Sequence, residues 1–321
     1  MKRPTIWQWL LNAIDRNQPA ALMVVVRSHG SSPGKTGDKM ALTADGESFG
    51  TIGGGLVEYD VAVRAMDSLK QSSNAVQLIY KQHRPAPEAV HASGHICGGE
   101  QWLALLPCGA DQLVSLQQLQ AAHEQRQPLL LRLGPQGLAL TEGETCQAAP
   151  LFDFQDQNNW YYQETIGHHK TAYIIGGGHV SLALSKILAM LDFDITVIDE
   201  RPDLETLIRN TDAHRKLIVP YSEINQTVPE GDQVFVFIMT HEHKLDEKVA
   251  ELLAARKVAY LGLLGSRKKV AQVKANLAGR VAPESLASIH APIGLPIHSH
   301  TPTEIAISIA AELIQLSNAK T

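Results

Sequence analysis

Cysteine is scarce in this chain: Cys97, Cys108 and Cys146 are the only three in 321 residues. Their number is odd and no two stand as C-x-x-C, which excludes a disulfide framework and a four-thiolate zinc site and leaves reduced thiols. An excess of positive charge is also missing, with 28 Lys+Arg against 33 Asp+Glu and a formal charge of -5. No basic field is present to release counterions from a phosphate backbone, so no nucleic-acid partner is expected. Long apolar runs are absent: residues 20–26 and 234–239 are strand-sized, well short of the ~18 residues of a membrane span. The first residues carry Lys2 and Arg3, but Gln8, Asn12 and Asp15 interrupt the apolar stretch that a signal peptide needs. An amphipathic helix, a cytoplasmic location and no membrane partner are the expectations. Nor is there a P-loop: Ser31, Ser32 and Pro33 separate Gly30 from Gly34, one residue too few, and a strand pattern follows where a helix is required.

The length exceeds the roughly 250–300 residues that one core serves, so two domains are expected. Residues 1–110 read as an α+β domain: a helix over 5–16, a buried strand over 21–27, a hairpin across Asp45-Gly46, a helix over 56–70, and strands over 76–80 and 101–106. Residues 111–165 read as a connecting segment holding a small hairpin (129–133 with 137–140) and a linker over 148–159. From 171 onward continuous apolar strands alternate with amphipathic helices, the pattern of a parallel sheet covered on both faces. Residues 166–321 are therefore expected to form a Rossmann-like domain, and the fold class is α/β. Thr301-Pro-Thr-Glu304 is a capping box that helix structure alone explains.

The sharpest nucleotide signal is Tyr173-Ile-Ile-Gly176-Gly-Gly178-His179-Val-Ser181, a strand running through a glycine turn into a helix. Gly176 permits the turn, Gly178 lets a backbone approach a pyrophosphate, and the helix start at His179 supplies N–H groups. Ser181 replaces the third glycine of the dinucleotide fingerprint. Asp199 ends the next strand 23 residues after Gly176, where an acidic side chain meets ribose hydroxyls. The alternative is a turn kept for packing alone. Two later strand ends line the same crevice in this scheme. One carries His241 and His243, able to bind metal, donate to phosphate or shuttle protons. The other carries Ser266, a helix N-cap candidate, and Arg267, able to grip an anion or simply to start a solvated helix.

In the first domain, Ser28, Ser31, Ser32, Lys35 and Lys39 lie close in the chain to Gly53-Gly54-Gly55 and Glu58 at a helix start. Together they suggest an anion-binding nest. Cys97, followed by Gly98 and near His91 and His95, is either an accessible thiol able to hold metal or sulfur, or an ordinary buried residue.

In order along the chain stand Val26-Arg-Ser-His-Gly-Ser-Ser-Pro-Gly34, Gly53-Gly-Gly-Leu-Val-Glu58, Ile96-Cys-Gly-Gly99, Gly176-Gly-Gly-His-Val180, Val197-Ile-Asp-Glu-Arg201, Thr240-His-Glu-His-Lys-Leu-Asp-Glu247, Gly262-Leu-Leu-Gly-Ser-Arg267 and His290-Ala-Pro-Ile-Gly294. This series resembles the xanthine dehydrogenase accessory (XdhC/CoxI) family over nearly the whole chain. The resemblance implies a maturation chaperone in place of a stand-alone enzyme. It would bind molybdenum cofactor, as molybdopterin or its cytosine dinucleotide form, protect it while a cysteine desulfurase supplies the sulfido ligand, and insert it into the large subunit of a xanthine or aldehyde dehydrogenase-type molybdenum hydroxylase. A homodimer is expected. The implied cofactor-binding set is Ser31, Ser32, Lys39, Gly53, Gly54, Gly55, Glu58, Cys97, Gly98, Gly176, Gly178, His179, Asp199, His241, His243, Ser266 and Arg267, with Cys97 as the molybdenum contact. Many family members carry cysteine directly after the three glycines, where this chain has Leu56. The competing expectation is an NAD(P)-dependent oxidoreductase, supported by Gly176, Gly178 and Asp199. A third is a metal hydrolase built on His241 and His243.

Overall fold

A computed structural model describes residues 4–71, 73–82, 99–142 and 150–318. The chain divides into two compact units, Met1–His168 and His169–Thr321.

The first unit runs α1 (Ile6–Asp15), β1 (Ala20–His29), β2 (Lys39–Thr43), β3 (Ser48–Gly50), α2 (Gly55–Lys70), β4 (Gln77–Gln82), β5 (Glu100–Cys108), α3 (Leu113–Gln125), β6 (Leu129–Gly134), β7 (Gly137–Glu142), β8 (Leu151–Asp156) and β9 (Asn159–Ile166). An antiparallel sheet in the order β3-β2-β1-β5-β4 forms its centre. Ala20 to Val26 of β1 are all buried, because both faces of the sheet are covered. Leu22, Val24 and Val26 pack with Leu10, Leu116, Leu131 and Trp160. Ala21, Met23 and Val25, pointing the other way, meet Val57, Val61 and Leu69 of α2. Residues 111–165 thus enter the same apolar core as β1, through α3 and a second sheet ordered β7-β6-β9-β8. The hairpin expected near 129–140 is β6-β7, whereas the linker expected over 148–159 contains β8. Phe152 and Phe154 alternate with solvent-facing residues there and bring two aromatic rings against Trp102, a two-residue period too short to stand out in sequence.

The second unit runs β10 (Thr171–Ile175), α4 (His179–Met190), β11 (Asp194–Asp199), α5 (Glu205–Ile208), β12 (Arg215–Ile218), α6 (Ile224–Thr227), β13 (Gly231–Ile238), α7 (His243–Leu253), β14 (Val258–Leu263), α8 (Arg267–Leu277), α9 (Pro283–Ser288) and α10 (Pro302–Asn318). All five strands are parallel, in the order β12-β11-β10-β13-β14. This is the Rossmann-like arrangement, in which the winding reverses between β10 and β13 and opens a crevice at their carboxyl ends. One face of the sheet packs on α7 and α8 through Val249, Leu253, Val273 and Leu277. The other packs on α4 and α10 through Leu184, Leu188, Ile309 and Leu313. At the start of α10, Glu304 accepts from Thr301 N–H (3.1 Å) and Thr301 Oγ1 accepts from Glu304 N–H (3.3 Å), so the capping box is structural. Among the described residues no helix is long and apolar enough to cross a membrane.

Because Leu131 is wholly buried where the two sheets of the first unit meet, Leu131→Ala should destabilise that unit by about 2–5 kcal/mol in urea unfolding. A loss under ~1 kcal/mol would mean that the second sheet folds apart from the first.

Candidate functional site

The crevice of the second unit is built around one carboxylate. Asp199, the last residue of β11, is fully buried. Its Oδ2 accepts from Gly177 N–H at 2.7 Å and from Arg201 Nη2 at 2.8 Å. Its Oδ1 accepts from the Arg201 N–H at 3.0 Å and from Arg201 Nε at 2.9 Å. Burial alone would push its pKa up, but the Arg201 side chain and the two backbone N–H groups outweigh that and hold it at about 2. Four donors fill the acceptor positions of a carboxylate. In this arrangement Asp199 fixes the glycine turn and aims the Arg201 side chain, and no acceptor remains for a ribose hydroxyl.

The turn itself is sterically closed. A side chain at Gly176, whose φ is +108°, would strike the Met239 carbonyl, so β10 and the end of β13 approach as closely as backbones can. Gly178 differs, since a Cβ there would meet nothing within 4 Å. It is the N-cap of α4 and caps no N–H group with a side chain, which leaves the first-turn donors facing open space. That space is a cavity of about 580 Å³ lined by Gly178, His179, Ser181, Arg201, Thr240 and His241, among others, within the usual range of small-molecule sites. Ser181 is 1% exposed and its Oγ has no hydrogen-bond partner.

The opposite wall is held by a pair that sequence reasoning did not assign to the site. Asp246, fully buried, accepts from Thr240 N–H (2.8 Å) and Thr240 Oγ1 (2.7 Å) and pairs with Lys269, whose Nζ also donates to the Leu264 carbonyl (2.9 Å). Thr240 and Leu264, both lining the cavity, are thereby tied to α7 and α8. The clue was available: Asp246 shares its helix face with Val249, Ala250 and Leu253, a charge on an apolar stripe. His241 lines the cavity, whereas His243 is exposed at the start of α7 and does not. Ser266 caps α8 by accepting from Lys269 N–H (3.2 Å), and Arg267 is exposed beyond the cavity lining. Among the described residues no cluster of three or more His, Cys, Asp or Glu could hold a metal ion.

In the first unit the structure brings the two glycine-rich loops together. A Cβ on Gly53 (φ +117°) would collide with Pro33 and Gly34, and one on Gly34 with Ile52 and Gln101. Gly99, the last residue of the Ile96-Cys-Gly-Gly99 motif, is packed as closely on Ser31 and Ser32. The nest is filled from within: Glu58 accepts from Thr51 Oγ1 (2.6 Å), Ile52 N–H (2.9 Å) and Gly54 N–H (3.1 Å). Burial would raise the Glu58 pKa, and these three bonds carry it below the ordinary value instead. Lys39 is engaged as well, with Glu164 (2.8 Å) and the Gly37 carbonyl (2.9 Å). Ser31 and Gly55 are exposed, while Ser32 is buried with an unpartnered Oγ. Cys97 and Gly98 lie outside the described residues. Cys108 does not, and it is a core residue: burial pushes its thiol up to about 12.

Asp199→Asn should lower the unfolding free energy by about 2 kcal/mol at pH 7, from a folded pKa near 2 against the ordinary value of 3.8. Since the folded pKa is depressed, this contribution is present above about pH 4 and is lost as pH falls toward 2. Urea unfolding of both proteins between pH 7 and pH 3 checks it: the gap should begin to close below pH 4, and a gap constant throughout would assign no role to the carboxylate charge.

Comparison with known proteins adds the following. A family model described as the XdhC Rossmann domain matches residues 172–313, and one described as the XdhC and CoxI family matches residues 13–80. The chain is 28% identical to YqeB, an uncharacterised protein of Escherichia coli K12, over 95% of this chain and 44% of YqeB, so it spans less than half of that relative. It is 24% identical to a probable xanthine dehydrogenase subunit of Bacillus subtilis 168, over 94% of both chains. To the molybdenum cofactor insertion chaperone PaoD of E. coli K12 it is 23% identical, over 96% of this chain and 87% of PaoD. A crystal structure of a xanthine dehydrogenase from Bacillus halodurans superposes with a TM-score of 0.74 at 21% identity, covering 98% of this chain and 96% of that one, which shows a shared fold.

Proposed function

Because the chain belongs to the XdhC and CoxI family, we propose that it serves molybdoenzyme maturation as a chaperone that binds molybdenum cofactor, shields it during sulfuration by a cysteine desulfurase and inserts it into a xanthine or aldehyde dehydrogenase-type hydroxylase. The relatives support the coarser part of this, since one of them, PaoD, is a molybdenum cofactor insertion chaperone. The observation that carries it is the cavity at Gly178, which offers the uncapped first-turn N–H groups of α4 to a phosphate and whose strand-end carboxylate, Asp199, is already engaged.

The residues present fit the phosphate end of a pterin cofactor. Gly178 leaves room for a ligand to reach the backbone, and Arg201, held by Asp199, lines the same cavity. For the metal end, molybdenum favours soft sulfur donors. Cys97 is the thiol we assign to it on the strength of the family motif, Cys108 being sealed in the core. When bound, the cofactor supplies the redox-active molybdenum centre used by the hydroxylase. The chain's own residues hold the phosphate at the first turn of α4 and fix the walls of the cleft through Asp199 and Asp246. The two glycine loops of the first unit, including Ser31, Ser32 and Gly55, form a polar surface of their own, and assembly as a homodimer with transient docking on the hydroxylase large subunit completes the scheme. The NAD(P)-dependent oxidoreductase alternative relies on Asp199 as the ribose acceptor, and that carboxylate is saturated.

Anaerobic purification followed by pterin fluorescence and molybdenum analysis should find both bound, and the loaded protein should restore activity to a cofactor-free hydroxylase. Sustained NAD(P)H turnover with a small substrate and no molybdenum partner would refute the chaperone role. Cys97→Ser should leave the melting temperature unchanged and reduce molybdenum retention, because a hydroxyl replaces an ionisable sulfur of similar size. Full loading of an active hydroxylase by this variant would remove Cys97 from the site.

A further inference from the structure

We infer that the outward face of α10 is a contact between two copies of this chain, with the two α10 helices packed antiparallel so that Ile307 of each copy meets Ile314 of the other. The homodimer of the proposed function has no interface assigned to it; this inference supplies one and does not rest on the cofactor.

A helix on a protein surface turns charged and polar residues toward water. α2 does so with Asp60 and Arg64, α7 with Lys244 and Lys248, and α8 with Arg267 and Lys268. α10 differs, since beyond its first turn no free charge faces outward. Its only charged residues are Glu304 and Glu312. Glu304 is spent on the N–H groups of His300 (2.7 Å) and Thr301 (3.1 Å) in the capping box. Glu312 accepts from the Tyr260 O–H (2.9 Å) and the Gly294 N–H (2.6 Å). What the helix exposes instead is Ile307 (49%) and Ile314 (47%), with Ala311 half-buried between them. The i, i+4, i+7 spacing puts these three on one stripe, turned away from the Ile309 and Leu313 that pack on α4. On α4, Ala183, Ile187 and the 81% exposed Met190 repeat the same spacing. Missing charge combined with half-exposed apolar side chains is the composition of an interface core.

The order of residues along the stripe selects a second copy as the occupant. Thr303 and Ile307 stand as far before the Ala310-Ala311 pair as Asn318 and Ile314 stand after it, so the stripe reads polar, isoleucine, alanine, isoleucine, polar in either direction. In a two-fold contact the same patch meets itself. An antiparallel pair of α10 helices therefore sets each Ile307 on the other copy's Ile314 and leaves Thr303 opposite Asn318 at the rim. The small Ala310 and Ala311 fall at the crossing, where helix axes come within about 8–10 Å. A partner of different sequence would impose no such symmetry. α10 is about 25 Å long, too little alone for the roughly 800 Å² per partner of a stable dimer, and α4 with its Met190 shares the contact.

Sedimentation equilibrium on the full chain tests both the face and its register. The wild type should be dimeric at micromolar concentration. Ile307→Lys and Ile314→Glu should each raise the dimer dissociation constant at least about tenfold, because each buries an unpaired charge at the contact. Both side chains are half exposed within one copy, so circular dichroism should find each variant folded with wild-type helix content. The double variant carrying Ile307→Lys and Ile314→Glu should dimerise again, since the antiparallel register places each lysine against the other copy's glutamate, and that dimer should weaken as salt rises. Ile208→Glu, at an exposed isoleucine of α5 outside the stripe, should leave the dimer intact. A monomeric wild type, single variants that dimerise as the wild type does, or a double variant no better than either single one would each overturn the inference. A monomer that still copurifies with pterin and molybdenum loses this interface and keeps cofactor binding; a dimer with neither keeps the interface and refutes the chaperone.

Discussion

The glycine turn between β10 and α4 holds its shape because the Asp199 carboxylate takes the Gly177 N–H with one oxygen and grips the Arg201 guanidinium with both. Without that anchor the turn would have a buried donor with no acceptor, and Arg201 would be an unrestrained surface side chain. With it, the strand end, the turn and one cationic side chain become a single rigid piece. The ledge from which α4 projects its free N–H groups into the cavity depends on this piece, and so does the direction from which an anion can be met. Asp246 performs a matching task across the cleft, where Lys269 and Thr240 bind the loops after β13 and β14 to their helices.

The first unit reaches a similar result by the same physics. Three consecutive glycines in a strand-to-helix connection expose backbone donors, and Glu58 folds back from the helix they open to accept from the N–H groups of Ile52 and Gly54. The loop is thus preorganised by an internal anion, which an incoming one would have to displace or complement. Each unit therefore pairs a glycine-rich turn with a half-buried or buried carboxylate whose pKa is held down by the bonds it accepts. A flexible glycine loop gains a defined geometry in this way without side chains blocking ligand approach.

Much of this architecture was readable from local pattern. The buried run of β1, the alternation that produced the parallel sheet, the turn at Gly176 and the Thr301 capping box all depend on neighbours within a few residues, and all stand where periodicity and turn chemistry put them. β8 escaped because Phe152 and Phe154 give only two inward positions in six residues. The metal option for His241 and His243 found no third ligand among the described residues, since one side chain faces the cavity and the other leaves it.

The sequence alone determined the fold class, the family and the two glycine-rich turns, because each is encoded by spacing along the chain. Only the tertiary structure decided which polar groups are still free. Lys39 meets Glu164, 125 residues away; Glu58 closes its own nest; Asp199 is consumed by an arginine two residues on because the chain bends back over the strand end; and Ser181, read as a substitute for a packing glycine, is left as a buried donor with nothing to bond. A residue type states what a side chain is able to donate or accept, but its occupancy is set by distances in space, and those exist only once the sheets and helices have packed.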